Sequence, residues 1–142
     1  MYYNSRIIIS NKKNTMEYLF LVSRILFGGY FVLAGINHFR NLAGTAGYAA
    51  SKGVPFPKVA VIGTGLLLLL GGLGIVLGLY VRFAILLLVV FLIPVTFKMH
   101  QFWKVQDPMQ KMGERINFEK NIALAGAALA YLFIALPWAL AL

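Results

Sequence analysis

The 142-residue chain contains no cysteine and few charged residues. The absence of cysteine excludes disulfides, catalytic thiols and cysteine-ligated metals. Charged residues make up 12% of the chain and hydrophobic residues 61%. In a soluble domain, about 25% of the residues are charged and about 45–50% are apolar. Such a chain has too little polar surface to face water, and it is too apolar to be disordered. The composition therefore predicts an integral membrane protein.

Acidic residues are particularly scarce, with 4 Asp and Glu against 13 Lys and Arg, which gives a net charge of +9. In a soluble protein this excess would indicate nucleic-acid binding. In a membrane protein, basic loops beside anionic lipid headgroups explain the same excess. The chain also lacks a basic stripe with interleaved aromatic residues, which single-strand binders need. We therefore predict contact with a lipid bilayer and no contact with nucleic acid.

Long apolar runs are abundant. Four of them, at about residues 18–39, 59–80, 81–99 and 121–142, are near the ~20 residues that cross a ~30 Å hydrocarbon layer as a helix. Backbone groups in lipid must be hydrogen-bonded within the segment, so the runs are predicted to be helices. The expected fold is all-α, an integral membrane four-helix bundle in one domain, residues 16–142. Residues 1–15 are predicted to be a flexible tail, with Met16 as an alternative start.

Small residues predict how these helices pack. Gly71, Gly74 and Gly78 are three and four residues apart, so they share one face of the second span. Helices in lipid associate mainly through close backbone approach at small residues. The fourth span has a similar set, which consists of Ala123, Gly126, Ala127 and Ala130. We expect both sets to pack the internal bundle, and a homo-oligomer interface is the alternative.

The distribution of Lys and Arg predicts the orientation. The two longer links between spans carry more basic residues than the termini and the short turn at Arg82. Loops rich in Lys and Arg face the cytoplasm. We therefore expect the longer links in the cytoplasm and both termini on the opposite side.

Arg24 lies about two turns inside the first predicted span. An arginine within the membrane costs a few kcal/mol and is expected to have a partner. Glu17 lies two turns earlier on roughly the same face. Two interpretations stay open: the side chain extends to a headgroup phosphate, or it forms an anion or headgroup site within the bundle.

A second set of polar residues gathers at one membrane face. His38 ends the first span and His100 ends the third, so both lie on the side of the longer links. If the third helix continues, Trp103, Lys104 and Asp107 form one stripe with His100, and Pro108 stops the helix. Three further polar residues return toward this face at the start of the fourth span: Glu114, Glu119 and Asn121.

Three interpretations of this set compete. The residues could be interfacial anchors, a small-molecule or quinone-headgroup site, or ligands of a metal or haem. No HExxH or CxxC spacing supports a metal, so no metal site is predicted. No self-sufficient catalytic motif is present, which leaves enzymatic activity undecided. No cofactor is evident from the sequence. A quinone is the cofactor that these residues would suit.

The order of several short motifs resembles the DoxX family of small four-helix bacterial membrane proteins. The matching stretches are AGINHF (34–39), GVPFP (53–57), GLLLLLGGLGIVLG (65–78), HQFW (100–103) followed by Asp107–Pro108, and NFEKNIALAG (117–126). The resemblance extends from Glu17 to Tyr131. It implies a multi-pass protein of the bacterial inner membrane. Some relatives are linked to oxidoreductase systems, such as thiosulfate–quinone chemistry or membrane-bound oxidative-stress complexes, and most have no assigned activity.

The expected function is that of a membrane subunit or accessory of a redox system, quinone-linked or related to oxidative stress. A ligand site is expected near His38, His100 and Trp103, and a partner membrane or redox protein is expected. Two alternatives stay open. The protein could bind or transport a small apolar solute or lipid, with the glycine-lined second span beside a cavity. It could instead be a non-catalytic helper whose Gly74 and Gly78 face a partner membrane protein.

Overall fold

The computed structural model describes the backbone from Tyr2 to Leu142 and the side chains from residue 14 onward. This part of the chain is helical and contains no strand. It forms five α-helices, which are α1 Tyr2–Arg40, α2 Leu42–Ser51, α3 Pro57–Leu77, α4 Val81–Met99 and α5 Pro108–Ala130. Short 3₁₀ turns follow at Phe102–Lys104 and Tyr131–Phe133. The side chains of most of the predicted tail, residues 1–15, lie outside the described residues.

Three helical segments are long and apolar enough to span a membrane: Asn14–Arg40, Pro57–Leu77 and Val81–Lys104. The prediction of an all-α membrane bundle is confirmed. The helix count is five rather than four, because α2 forms in the link that its glycines marked as a loop. Its sequence LAGTAGYAAS is rich in alanine, a strong helix former. Ala46 and Ala49 on its inner face pack against Val61 and Met99.

The last predicted span differs most from the structure. The helix begins at Pro108 rather than near residue 121, because Asp107 caps it and proline suits a first helical position. The Asp107 carboxylate accepts a hydrogen bond from the Gln110 backbone N–H at 2.8 Å. Pro108 therefore starts a helix and does not stop one. The helix ends at Ala130, and Pro137 further along cannot continue a helix.

The long helices run up and down, with α3 packed between α1 and α4, and α5 against α4. After Ala130 the chain folds back over one end of the bundle, where Trp138 is buried and the Leu142 N–H donates to the Leu77 carbonyl at 3.1 Å. We call this the Arg24 end. The links 41–56 and 100–107 lie at the opposite end, which we call the histidine end. The main core fills the centre and consists of Phe31, Leu68, Ile75, Val81, Ala84, Ile85, Leu88, Leu92, Ala125, Ala128 and Trp138.

Glycines allow the closest helix contacts. A Cβ on Gly72 would lie 2.7 Å from the Gly28 carbonyl oxygen, so α1 and α3 touch backbone to backbone. Gly71 and Gly74 face Leu88 and Ala84 of α4, within the bundle. Gly78 ends α3 with a φ of +73°, a conformation that glycine adopts freely.

The small residues of the last predicted span lie on the other face of α5 from the one expected. In this single chain the exposed positions are Ala123, Gly126, Ala127 and Ala130. The buried positions of α5 are Asn121, Ala125 and Ala128. These three are four and three residues apart, so they form the inward face of the helix. The internal packing of α5 therefore uses a different set of small residues.

Candidate functional site

Arg24 is completely buried at the end of the bundle where the C-terminal segment folds back. Its Nε donates to the Ile75 carbonyl at 3.1 Å, and one Nη donates to the Val76 carbonyl at 2.6 Å. The other Nη donates to the Ala139 carbonyl at 2.8 Å. The last carbonyls of a helix lack partners within it and carry the negative end of its dipole. Arg24 therefore caps α3 and ties the C-terminal segment to it.

Protein groups fill the surroundings of Arg24. Its guanidinium lies 5.8 Å from the Phe20 ring centroid and 5.5 Å from that of Trp138. Phe20 and Trp138 also meet edge to face at 5.1 Å. Among the described residues, Glu17 is not one of its hydrogen-bond partners. These contacts hold α1, α3 and the C-terminal segment together, so the role of Arg24 in this geometry is structural.

A group of four polar side chains lies at the histidine end, and Glu114 of α5 is at its centre. One Glu114 oxygen lies 2.5 Å from Lys52 Nζ and accepts a bond from the Tyr48 hydroxyl at 3.2 Å. The other oxygen lies 2.7 Å from His100 Nδ1. We call Tyr48, Lys52, His100 and Glu114 the carboxylate cluster. It joins the ends of α2 and α4 to α5.

Opposing effects set the charge state of this cluster. Burial would raise the pKa of Glu114, but hydrogen bonds from Lys52 and His100 outweigh it and hold the pKa below its ordinary value. Burial would lower the pKa of Lys52, but its hydrogen bond with Glu114 and the charges of Tyr48 and Glu114 raise the pKa. Burial and the Glu114 charge both raise the pKa of Tyr48. At neutral pH, Glu114 and Lys52 therefore form an ion pair.

The two histidines each use Nδ1 to contact an oxygen. An ionised carboxylate only accepts hydrogen bonds, so Nδ1 of His100 donates to Glu114. His38 Nδ1 lies 2.9 Å from the Ala34 carbonyl, which also only accepts. In the neutral imidazole the remaining nitrogen, Nε2, is then the acceptor. Both rings therefore keep an Nε2 that can accept a proton.

One cavity of about 230 Å³ brings the two histidines together. We call it the histidine cavity. Its polar lining consists of Tyr30, His38, Thr45, Tyr48, His100, Lys120 and Asn121. Its apolar wall includes Phe31, Leu68, Phe91 and Leu92. A mostly apolar lining with a few hydrogen-bonding groups is the usual pattern of a small-molecule site.

A second cavity of about 200 Å³, the side cavity, lies among α2, α3 and α4. It shares His38, Thr45, Phe91, Val95 and Met99 with the histidine cavity, so these residues separate the two spaces. The rest of its lining is mostly apolar, with Thr64 and Lys98 as the polar exceptions.

The structure divides the predicted site residues into two groups. His38, His100 and Asn121 line the histidine cavity. Trp103, Asp107 and Glu119 do not, since α4 ends at Met99 and the predicted stripe from His100 to Asp107 does not form. Trp103 is 46% exposed and packs on Phe118 and Phe102. Asp107 caps α5, and Glu119 pairs with Arg115 on the surface at 2.7 Å.

Sequence reasoning missed Tyr48 and Lys52, and it did not place Glu114 at the centre of the cluster. A signal was present, because Tyr48 and Lys52 are four residues apart and would share a face if their segment were helical. The glycines of that segment instead favoured a loop. Within the described side chains, no group of three His, Cys, Asp or Glu residues is placed to hold a metal ion.

Comparison with known proteins identifies the family. The sequence model of the DoxX family matches residues 19–101. The chain belongs to the DoxX family. It is 31% identical over 112 residues to the inner membrane protein YphA of Escherichia coli (strain K12), across 78% of this chain and 79% of that protein. No solved structure matches. The match to the family model includes His38 and His100 and ends before Glu114. The carboxylate of the cluster therefore lies in α5, outside the matched region.

Proposed function

We propose that this DoxX protein is a multi-pass protein of the bacterial inner membrane, and a membrane subunit or accessory of a redox system. We further propose that its histidine cavity binds a quinone headgroup. The observation that carries the proposal is the shared lining of one cavity by His38 and His100, together with an apolar wall. The name of the similar Escherichia coli protein supports the location.

The cavity suits a quinone in size and in chemistry. A cavity of about 150 Å³ can bind benzene, so the histidine cavity has room for one substituted ring. A quinone ring carries oxygens that accept hydrogen bonds. Asn121, Lys120 and Thr45 supply donors along the polar lining. Phe31 and Leu68 on the apolar wall suit the faces and substituents of the ring.

The orientation is part of the same proposal. The basic links predict that the histidine end faces the cytoplasm. The contacts of Lys52 and Tyr48 with Glu114 support the placement of both longer links at one end. A ligand at this end would be accessible to a cytoplasmic redox partner, and the Arg24 end would face away from it.

Equilibrium binding of a short-tailed benzoquinone to the purified protein in nanodiscs tests the proposal. The double variant His38→Leu and His100→Leu is expected to bind at least tenfold more weakly. Trp103→Phe is the matched control, because this aromatic residue lies outside the cavity, and it should bind as the unmodified protein does. Failure of the folded, unmodified protein to bind the benzoquinone would exclude the headgroup site.

Two alternatives can be compared with the structure. The side cavity supports binding of a small apolar solute, although its α3 lining comes from Val61 and Thr64 rather than from the glycine face. A helper role through Gly74 and Gly78 is less compatible with the packing. Gly74 faces Ala84, and Gly78 faces Ala141 and Arg24. A lipid or solute that co-purifies in place of a quinone would favour the first alternative.

A further inference from the structure

The carboxylate cluster lies between two spaces, and Tyr48 lines both of them. His100 lines the histidine cavity. Glu114 lines a different pocket of about 410 Å³ on the outer side of α5, the solvent pocket, whose exposed residues include Gln110 and Gly113. The side chains of His100 and Glu114 are both only 15% exposed. Their 2.7 Å hydrogen bond therefore joins the linings of the two spaces.

We propose that His100 and Glu114 form a relay that moves a proton between an acidic hydroxyl of a headgroup in the histidine cavity and water in the solvent pocket. The identity of that headgroup rests on the proposed function. The relay itself rests on the position of the two side chains between the two spaces.

The proton steps need no electron transfer in the protein. His100 Nε2 accepts a proton from a hydroxyl, so the O–H bond breaks and an N–H bond forms. The ring is then an imidazolium that pairs with the Glu114 carboxylate. His100 Nδ1 passes its proton to Glu114, which releases it to water in the solvent pocket. These steps leave the proton of the neutral ring on Nε2. From that state the same steps in reverse deliver a proton to an oxygen anion in the cavity and restore the resting tautomer.

The neighbouring groups suit this role. Lys52 and Tyr48 of α2 contact Glu114 directly. His38 of α1 and Lys120 of α5 share the cavity with His100. Lys52 stabilises the ionised carboxylate, so Glu114 rests deprotonated and readily releases to water any proton that it receives. The cationic groups Lys52 and Lys120 favour the negative charge that remains on the ligand oxygen after it loses its proton.

A nitrophenol with a short alkyl tail is a suitable probe, because its absorbance reports its ionisation directly. We expect the probe bound to the full-length protein to ionise at a pH at least one unit lower than the probe bound to the His100→Gln variant, which is a tenfold change. After a light-triggered pH jump, proton exchange of the bound probe should be at least tenfold slower in Glu114→Gln. Glu119→Gln, a matched change on the same helix, should alter neither value.

Removal of the Glu114 charge leaves Lys52 unpaired, so the double variant Lys52→Met and Glu114→Gln is included as a second test. It removes both charges together and should retain the slow proton exchange. Unchanged ionisation in His100→Gln, or unchanged exchange rates in both Glu114 variants, would exclude the relay. Benzoquinone binding is measured in parallel. If the unmodified protein binds the nitrophenol but not the benzoquinone, the quinone assignment is wrong. The nitrophenol result then still decides whether the relay exists.

Discussion

At one end of the bundle, Arg24 donates hydrogen bonds to three main-chain carbonyls. At the other end, Glu114 accepts hydrogen bonds from three side chains, each of which can gain or lose a proton. Carbonyl groups do not titrate, so the first arrangement has one state over the physiological pH range. The second can change its protonation without a change of fold. A buried charge of the first kind holds the structure together, and one of the second kind is available for chemistry.

Glycines bring α1 and α3 into backbone contact at both ends, through Gly28 and Gly72 near Arg24 and through Gly35 and Gly65 near His38. The ends differ in the size of their cavities, and the cavity beside Arg82 at the Arg24 end measures about 120 Å³. Around the histidines, the chain leaves two neighbouring cavities of about 230 and 200 Å³. Cavities cost stability, because their lining loses contacts. Their position beside the titratable cluster is therefore expected for a site that binds a ligand.

Removal of Arg24 should have the largest effect on stability. Arg24→Met leaves one buried and two partly buried carbonyls without their donors, and each hydrogen bond to a charged group contributes about 1.5–3 kcal/mol. We expect a loss of about 3 kcal/mol or more in the free energy of unfolding, measured by denaturant titration in detergent. Arg24→Lys should be intermediate, since one ammonium cannot reproduce the guanidinium fork.

Arg115→Met is the control for the Arg24 variant. Arg115 is 65% exposed and pairs with Glu119 one turn away. Surface pairs of this kind contribute about 1 kcal/mol or less. Equal losses in the two variants would show that the carbonyl contacts of Arg24 add no stability.

The contrast between a buried and an exposed glycine should be visible within α3 itself. Gly72→Ala places a Cβ 2.7 Å from the Gly28 carbonyl oxygen, and α1 must move away. Overpacking of this kind costs about 1–3 kcal/mol. Gly63→Ala, toward the histidine end, has no neighbouring atom within 4 Å and should be neutral or stabilising by up to ~1 kcal/mol. Thermal unfolding of both variants measures the difference, and similar losses in both would contradict the contrast.

The sequence predicted some of these features for sound reasons. The apolar runs identified the membrane helices, because length and composition alone determine which segments can span lipid. The positions of His38 and His100 at the ends of two spans correctly put them near each other. The need of Arg24 for a partner was also predictable, because burial of an unpaired charge in lipid is costly.

The partners themselves were not predictable. Arg24 bonds to carbonyls 51, 52 and 115 residues away, and main-chain carbonyls carry no sequence signature. The carboxylate cluster depends on two helix boundaries that apolarity does not reveal. The α2 helix places Lys52 beside Glu114, and the Asp107 cap starts α5 early enough to include Glu114. Local capping and alanine content set those boundaries.

The carboxylate cluster should make stability depend on acidic pH. The folded state holds the pKa of Glu114 below the ordinary value of 4.5. The ionised carboxylate therefore stabilises the fold above pH 4.5, and this contribution is lost as the pH falls through the lower value of the folded state. The Glu114→Gln variant should not show this part of the stability loss in acid. At neutral pH its free energy of unfolding should be lower than that of the unmodified protein by about 1 kcal/mol. Unfolding midpoints between pH 3 and 7 measure it, and parallel curves for the two proteins would contradict the prediction.

The smallest effect is expected for Glu119→Gln, the same chemical change five residues later on α5. Glu119 is exposed and contacts Arg115 rather than the cluster, so stability should change by less than about 0.5 kcal/mol and benzoquinone affinity should not change. The pair of glutamate variants separates a carboxylate within the site from one merely close to it in sequence. If Glu119→Gln weakened benzoquinone binding as much as the loss of both histidines, the site would extend onto the surface of α5. The contrast between the two ends would then no longer depend on the histidine cavity.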